Sequence, residues 1–201
     1  MTNETAATTW LVVSVSTAGG AASLRVQAWR KLRSLGALYL QQSVCLLPDT
    51  ADVARGVRRL AARVRQGGGT VRVLPMAFTD PAAEQAVIAE LNAARDAEYA
   101  DVLDRLPDLH RELAHEQARG RATYAGVEES EAGLHRFRAW LAKIEARDYF
   151  RAAGGDAART AVAGAAAALA AFEDAALRAE TPELASAAGG GLPRLRAAAR
   201  P

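Results

Sequence analysis

The sequence has one cysteine and three histidines among its 201 residues, and it contains no long apolar run. The single cysteine, Cys45, excludes an internal disulfide and a cysteine-rich zinc site. The longest uncharged apolar stretch spans residues 160–172, shorter than the about 20 residues that cross a membrane. Residues 1–9 contain no lysine or arginine, so they lack the basic flank of a secretory signal. We therefore expect a cytoplasmic protein with no membrane association.

Charge is divided unevenly along the chain. Up to residue 78 there are ten lysines and arginines against three acids, a net charge of +7. The remainder has 15 basic and 20 acidic residues, a net charge of −5. A basic half joined to an acidic half indicates either an anionic partner or neutralisation within the chain.

Apolar periodicity and turn residues predict the order βαββαβ in the first 80 residues. Strands are predicted over residues 10–16, 38–41, 44–47 and 70–78. The first helix has Ser23 as its candidate cap and ends at Gly36, and the second begins at Thr50 or Asp52. This order predicts an α+β fold in which residues 10–79 form a ferredoxin-like βαββαβ sandwich, with both helices on one face of an antiparallel sheet.

The rest of the chain is predicted to be helical. Residues 80–180 are expected to form a helical extension packed on the first domain, and residues 181–201 a disordered tail. Pro107 is expected to kink or restart the first long helix of the extension. A break is predicted over residues 120–130, before the next amphipathic helix.

The two helices of the N-terminal domain carry the candidate site, because their outer surfaces are adjacent and basic. We predict a nucleic-acid or oxyanion site formed by Arg25, Arg30, Lys31, Arg33, Arg55, Arg58 and Arg59. Three interpretations remain open: pairing with nucleic-acid phosphates, capture of a tetrahedral oxyanion by guanidinium groups, and a surface that is solvated or paired within the chain. Trp29 stands four residues from both Arg25 and Arg33, a spacing that allows stacking of arginine on indole. More often a tryptophan at such a position belongs to a core or an interface.

No catalytic constellation is evident in the sequence. His110 and His115 are five residues apart, so they do not share a helix face as zinc-binding pairs do. Cys45 stands in an apolar strand, where we expect a buried and inert thiol. Residues 147–150 are expected to end a helix with an ion pair and an aromatic anchor. We predict no enzyme activity, no metal and no cofactor.

Two runs resemble a known family. Residues 25–37, R-V-x-x-W-R-x-L-x-x-L-G-A, and residues 134–150, L-x-x-F-x-x-W-L-x-x-I-x-x-R-D-Y-F, resemble the N-terminal domain of the ChrB family of chromate-resistance proteins over roughly residues 10–180. The resemblance implies a chromate-responsive regulator of a chromate-efflux operon. Full-length members carry a further C-terminal domain, to which nothing here corresponds. Chromate is then a candidate effector, DNA a candidate partner, and a homodimer is expected because such sheets leave edges to cover.

Two more distant resemblances define the alternatives. The central portion of the PaaX-like repressors is similar, and so is the core of a small CRISPR-associated nuclease. That nuclease places an aspartate at the end of the first strand, where this chain has Ser14, Ser16 or Thr17. We predict a ChrB-like regulatory or accessory protein that acts in transcriptional control by binding DNA or a regulatory partner. The alternatives are a nucleic-acid-processing enzyme on the nuclease-like core, or a pure protein-interaction module.

Overall fold

The first strand, β1 (Trp10–Ser16), lies inside a four-stranded antiparallel sheet and has a partner on each side. The computed structural model describes residues 9–118 and 124–188 of the chain. The other strands are β2 (Leu38–Gln41), β3 (Val44–Pro48) and β4 (Thr70–Met76). The order across the sheet is β2-β3-β1-β4, so β2 and β4 form its edges.

Five helices accompany the sheet in the described residues. They are α1 (Ala22–Ser34), α2 (Ala51–Gln66), α3 (Pro81–Ala118), α4 (Tyr124–Glu145) and α5 (Gly155–Ala188). The predicted α+β class is therefore confirmed.

The starts of α1 and α2 differ in how they are capped. Thr50 caps α2 as predicted, since its hydroxyl accepts a hydrogen bond from the Val53 amide at 3.3 Å. The prediction of Ser23 as the cap of α1 is wrong. That helix already begins at Ala22, and its cap residue, Ala21, has no side chain able to accept a hydrogen bond. Gly36 follows the end of α1 with a φ of +73°, the left-handed backbone that glycine adopts most easily.

Helices α1 and α2 pack on one face of the sheet. Their apolar stripes and the inward-facing strand residues form one core, which contains Leu11, Val13, Leu24, Ala28, Leu32, Cys45, Leu47, Val53, Val57, Leu60, Ala61, Val64 and Val71. Alternation along β1 and β3 sends Trp10 and Leu46 to the opposite face, where they pack against Leu91 of α3. Phe150 stacks on Trp10 at a centroid distance of 5.5 Å. Both faces of the sheet therefore carry buried apolar residues.

The described chain divides into two compact units. The first contains the sheet, α1, α2, the part of α3 up to Asp101, and residues 141–156. The second contains the rest of α3 and α4, and α5 from Ala157. Within the second unit, the buried residues include Val102, Leu106, Leu109, Leu134, Val162, Ala165, Leu169 and Phe172. The sheet thus shares a unit with helical residues that follow residue 80.

Several predicted boundaries in the helical part are wrong. Helix α3 continues through Pro107, so the alternative of a restart at this proline is wrong. Helix α4 begins at Tyr124, so residues 124–130 are helical, and 119–123 lie outside the described residues. Helix α5 extends to Ala188, so residues 181–188 of the predicted tail are helical, whereas residues 189–201 lie outside the described part. Alanine and glutamate, both strong helix formers, dominate these segments.

Candidate nucleic-acid interface

The basic residues of α1 and α2 are exposed, except the half-buried Lys31, because each helix buries its opposite, apolar stripe. In α1 the buried residues are Leu24, Ala28 and Leu32. In α2 the buried stripe recurs at helical spacing and includes Val53, Val57, Leu60, Ala61 and Val64. Most of the basic residues stand at the exposed positions, so the two helices direct positive charge away from the sheet.

A groove of about 540 Å³ lies between the two helices and is called here the α1–α2 groove. Its charged side chains are Arg30 and Lys31 of α1 and Arg59 and Arg63 of α2. The other residues that line it are Leu24, Gln27, Ala28, Ser34, Leu60 and Val64. The groove therefore presents four cations and no carboxylate.

The charge of the groove is not balanced by the helices that form it. Helix α1 contains no acidic residue, and α2 contains one, Asp52. Asp52 forms an ion pair with Arg55, three residues along the same helix and outside the groove. Four like charges around one depression repel each other, and an anion with several oxygens relieves that repulsion by bridging them.

The structure separates the seven predicted site residues into groups. Arg30, Lys31 and Arg59 lie together in the α1–α2 groove. Arg25 lines a different cavity, which also contains Trp29, and the guanidinium carbon of Arg33 lies 4.9 Å from the centre of the Trp29 ring. The predicted stacking of arginine on this indole is therefore confirmed. The last two members lie outside both depressions: Arg55, paired with Asp52, and the exposed Arg58.

This second depression, the Trp29 cavity, has a volume of about 630 Å³. It is lined by Val15, Ser16, Thr17, Ala18, Arg25, Val26, Ala28, Trp29, Leu32, Tyr39, Gln42 and Ser43. Tyr39 contributes a buried hydroxyl that has no hydrogen-bond partner among the described residues. Burial, with a smaller contribution from the nearby Cys45, raises the pKa of Tyr39 to about 12.

Cys45 is buried in β3, as the sequence predicts, and only 1% of its surface is exposed. Burial raises the pKa of its thiol to about 12, so the thiol stays protonated at neutral pH. A protonated and inaccessible thiol is a poor nucleophile and a poor reductant.

The raised pKa of Cys45 predicts a dependence of stability on pH. An unfolded chain ionises the thiol above about pH 9, whereas the folded chain keeps its proton to about pH 12. The free energy of unfolding should therefore fall as pH rises through this window, by at most about 1.4 kcal/mol per pH unit from this group. Urea unfolding of the wild type and of Cys45→Ala between pH 9 and 12 measures how much the thiol contributes to this fall in the free energy of unfolding. The variant should show the shallower slope, and equal slopes would contradict the assignment.

The basic residues from Arg25 onward lie in a segment that matches a known protein family. The model described as "Protein ChrB, N-terminal" matches residues 25–183. The chain belongs to the ChrB N-terminal family. A curated relative, Protein ChrB of Cupriavidus metallidurans strain CH34, is 27% identical over 124 residues, which are 62% of this chain and 34% of that protein. The match thus spans about a third of the length of this relative. No solved structure matches the chain.

The end of the second run that resembles the ChrB family joins a partly buried polar cluster with α3. Glu98 of α3 accepts a hydrogen bond from Arg95 at 3.0 Å and one from Arg147 at 2.8 Å. Arg95 is only 7% exposed, and burial lowers the pKa of Arg147. The Tyr149 hydroxyl donates to the Leu35 carbonyl at the end of α1, at 2.9 Å. The predicted ion pair and aromatic anchor of residues 147–150 are therefore confirmed.

The described residues contain no group of three or more histidine, cysteine, aspartate or glutamate side chains placed to hold a metal ion. His115 and His135 are exposed, and the side chain of His110 lies outside the described part. Within the described ranges, no helix is both long and apolar enough to cross a bilayer.

Two basic side chains with defined places in the structure are missing from the predicted site residues. Arg63 lines the α1–α2 groove but is missing from the predicted set. Its signal was available, because it stands four residues after Arg59 and therefore on the same helix face. Arg95 is buried against Glu98 and lies close to Gly36. No local signal identifies it, since an arginine three residues before a glutamate on a helix is an ordinary surface pattern.

Proposed function

We propose that this chain is a non-enzymatic regulatory protein of chromate resistance that acts in transcriptional control by binding duplex DNA through the α1–α2 groove. The four cations around a groove without a carboxylate carry this proposal. Such a surface pairs with phosphates and releases the counterions of DNA. Membership of the ChrB N-terminal family supports the link to chromate resistance. The proposal includes a cytoplasmic location, where the chain would meet the DNA that it regulates.

The groove favours backbone contacts over the reading of bases. The guanidinium group of arginine donates two parallel hydrogen bonds to two oxygens of a phosphate, whereas the ammonium group of lysine binds a phosphate as a point charge. Contacts of this kind position a protein on DNA but carry little sequence information. Sequence preference would then come from residues outside the groove or from the shape of the DNA.

The decisive experiment measures binding of the purified chain to the DNA upstream of its own gene at two salt concentrations. The expected result is binding that weakens steeply as salt rises, because each phosphate contact releases counterions. A random duplex of the same length measures the part of the affinity that is independent of sequence. Absence of binding to either duplex at low salt would overturn the proposal.

Chromate is proposed as the effector of this binding. Chromate and the phosphate groups of DNA are both tetrahedral oxyanions, so the same guanidinium groups suit both. Chromate should release the DNA at a concentration at which sulfate does not. Equal release by sulfate would show competition by ionic strength and would contradict chromate sensing.

A homodimer is proposed because the described sheet ends in an edge strand with apolar side chains in solvent. Strand β4 exposes Leu74 and, to a smaller extent, Val73. An unpaired edge of this kind can pair with a second chain. This feature also favours the alternative function of a protein-interaction module. Sedimentation equilibrium of the wild type and of Leu74→Lys tests the proposed homodimer. A wild type that sediments as a monomer would contradict it.

The N-terminal sheet and its two helices are proposed to adopt the ferredoxin-like topology. The antiparallel order β2-β3-β1-β4 supports this assignment, and so does the shared core of α1 and α2 on one sheet face.

A further inference from the structure

The Trp29 cavity lies on the flank of α1 that carries Arg25 and Trp29, whereas Arg30 and Lys31 line the α1–α2 groove. Backbone hydrogen bonds fix the segments that form the walls of this cavity. The Val15 amide donates to the Ser43 carbonyl at 2.9 Å, which connects β1 to the β2–β3 turn. The Gly20 amide donates to the Thr17 carbonyl at 3.0 Å, which closes the turn before α1. The cavity is therefore preformed, as small-molecule sites usually are.

The charge of this cavity has one sign. Arg25 is the charged residue of its lining, and the Arg33 guanidinium lies over the ring of Trp29, another lining residue. No carboxylate is among the residues that line it. An occupant with negative charge is therefore favoured over a neutral or cationic one.

The apolar part of the cavity suits a flat ring. Trp29 is 45% exposed despite its large apolar surface. Aromatic rings and the bases of nucleic acids stack on such an indole, and a guanidinium on the same ring adds to the attraction. Beside the ring, the polar groups of Ser16, Gln42 and Ser43 can exchange hydrogen bonds with the edge of a heterocycle.

The size and the lining of the cavity point to a ligand larger than a simple oxyanion. A volume of about 630 Å³ lies within the range of cavities that hold organic ligands. A tetrahedral oxyanion alone would leave the indole and the uncharged polar wall without a partner.

From these features we propose that the Trp29 cavity binds a nucleotide, with the base stacked on Trp29 and the phosphate held by Arg25. The source is either a free mononucleotide or an exposed nucleotide of a single strand, since both present a planar ring with a phosphate. A second copy of this chain fits less well, because it would bring its own Arg25 and Arg33 against the same positive surface. The inference goes beyond the proposed function and does not depend on duplex binding.

The test is isothermal titration calorimetry of the full chain with each of the four ribonucleoside monophosphates, with adenosine, with inorganic phosphate, and with a short single-stranded oligonucleotide. At least one nucleotide probe should bind more tightly than adenosine and more tightly than phosphate. Trp29→Leu and Arg25→Gln should each weaken this binding about tenfold, which is typical for loss of one stacking or phosphate contact. Both residues are exposed, so the unfolding midpoint should stay near that of the wild type.

The matched controls come from a second arginine–indole pair outside the cavity. The Arg105 guanidinium carbon lies 5.3 Å from the centre of the Trp140 ring, so Arg105→Gln and Trp140→Leu remove the same chemistry elsewhere. They should leave nucleotide binding unchanged. Binding of mononucleotides assigns a free ligand, and binding of the oligonucleotide alone assigns a single strand; both support the proposal. Failure of every probe to bind at millimolar concentration would overturn it. Phosphate binding as tightly as the nucleotides, or no loss in Trp29→Leu, would also overturn it.

Discussion

Replacing Arg59 and Arg63 together with glutamine is expected to weaken binding of duplex DNA on the order of fiftyfold at about 0.1 M salt. These two arginines form the α2 side of the α1–α2 groove. Each cation that neutralises a phosphate contributes about 0.9 to the slope of log affinity against log salt. Loss of two such contacts should make that slope shallower by about 1.8. The measurement is a salt titration of the binding constant for wild type and variant.

Two further double variants make the experiment specific to the groove. Arg55→Gln with Arg58→Gln removes two arginines of the same helix that lie outside the groove. Arg136→Gln with Arg138→Gln removes two exposed arginines of α4, with the same change in net charge. The α4 variant should change the affinity by only a small factor, and the Arg55 and Arg58 variant should lose less than the groove variant. Equal losses in all three would show that net charge, and not the groove, determines binding.

Replacing Glu98 with glutamine is expected to lower the free energy of unfolding by about 2–3 kcal/mol. Both oxygens of Glu98 are used, since Arg95 donates to one and Arg147 to the other. Glutamine keeps the shape but leaves the two guanidinium groups without their shared anion. The loss should fall below the about 3–5 kcal/mol known for fully buried pairs, because the side chain of Glu98 is 27% exposed.

The control for this prediction is Glu90→Gln, which neutralises an exposed glutamate of the same helix. It should change the free energy of unfolding by no more than about 0.5 kcal/mol. Urea unfolding at neutral pH measures both variants. A Glu98→Gln variant as stable as Glu90→Gln would show that the two arginines are satisfied by solvent, and the cluster would then not hold residues 147–150 against α1.

The starts of α1 and α2 show how far a cap residue in the sequence predicts where a helix begins. Thr50 has a hydroxyl that accepts a hydrogen bond from an amide three residues later, and it was one of the two cap residues that the sequence offered, with Asp52. Ser23 has the same chemistry but lies inside the first turn of α1, because the chain turns into the helix directly after Gly20. A cap residue in the sequence therefore predicts that a helix starts nearby, and the tertiary path of the chain decides at which residue.

The sequence predicted which basic residues belong to the candidate site, but not which of them lie together in space. Helical periodicity identified α1 and α2 as basic and adjacent. It showed that Arg25 and Arg33 are neighbours of Trp29, but not that Arg30 and Lys31 share a groove with Arg59 and Arg63 while Arg25 lines a different cavity. That division depends on the rotation of each helix about its own axis, which is set by how its apolar stripe packs on the sheet.

By itself, the sequence determined the α+β class, the positions of the strands, the burial of Cys45 and the membership in a family. These features follow from apolar periodicity, turn residues and motifs, which are properties of positions close together in the chain. Only the tertiary structure decided which cations share a groove and that Glu98 holds two arginines, one of them 49 positions away. It also decided that Phe150 stacks on Trp10. These contacts join residues far apart in the chain, and their geometry follows from packing, which no local pattern records.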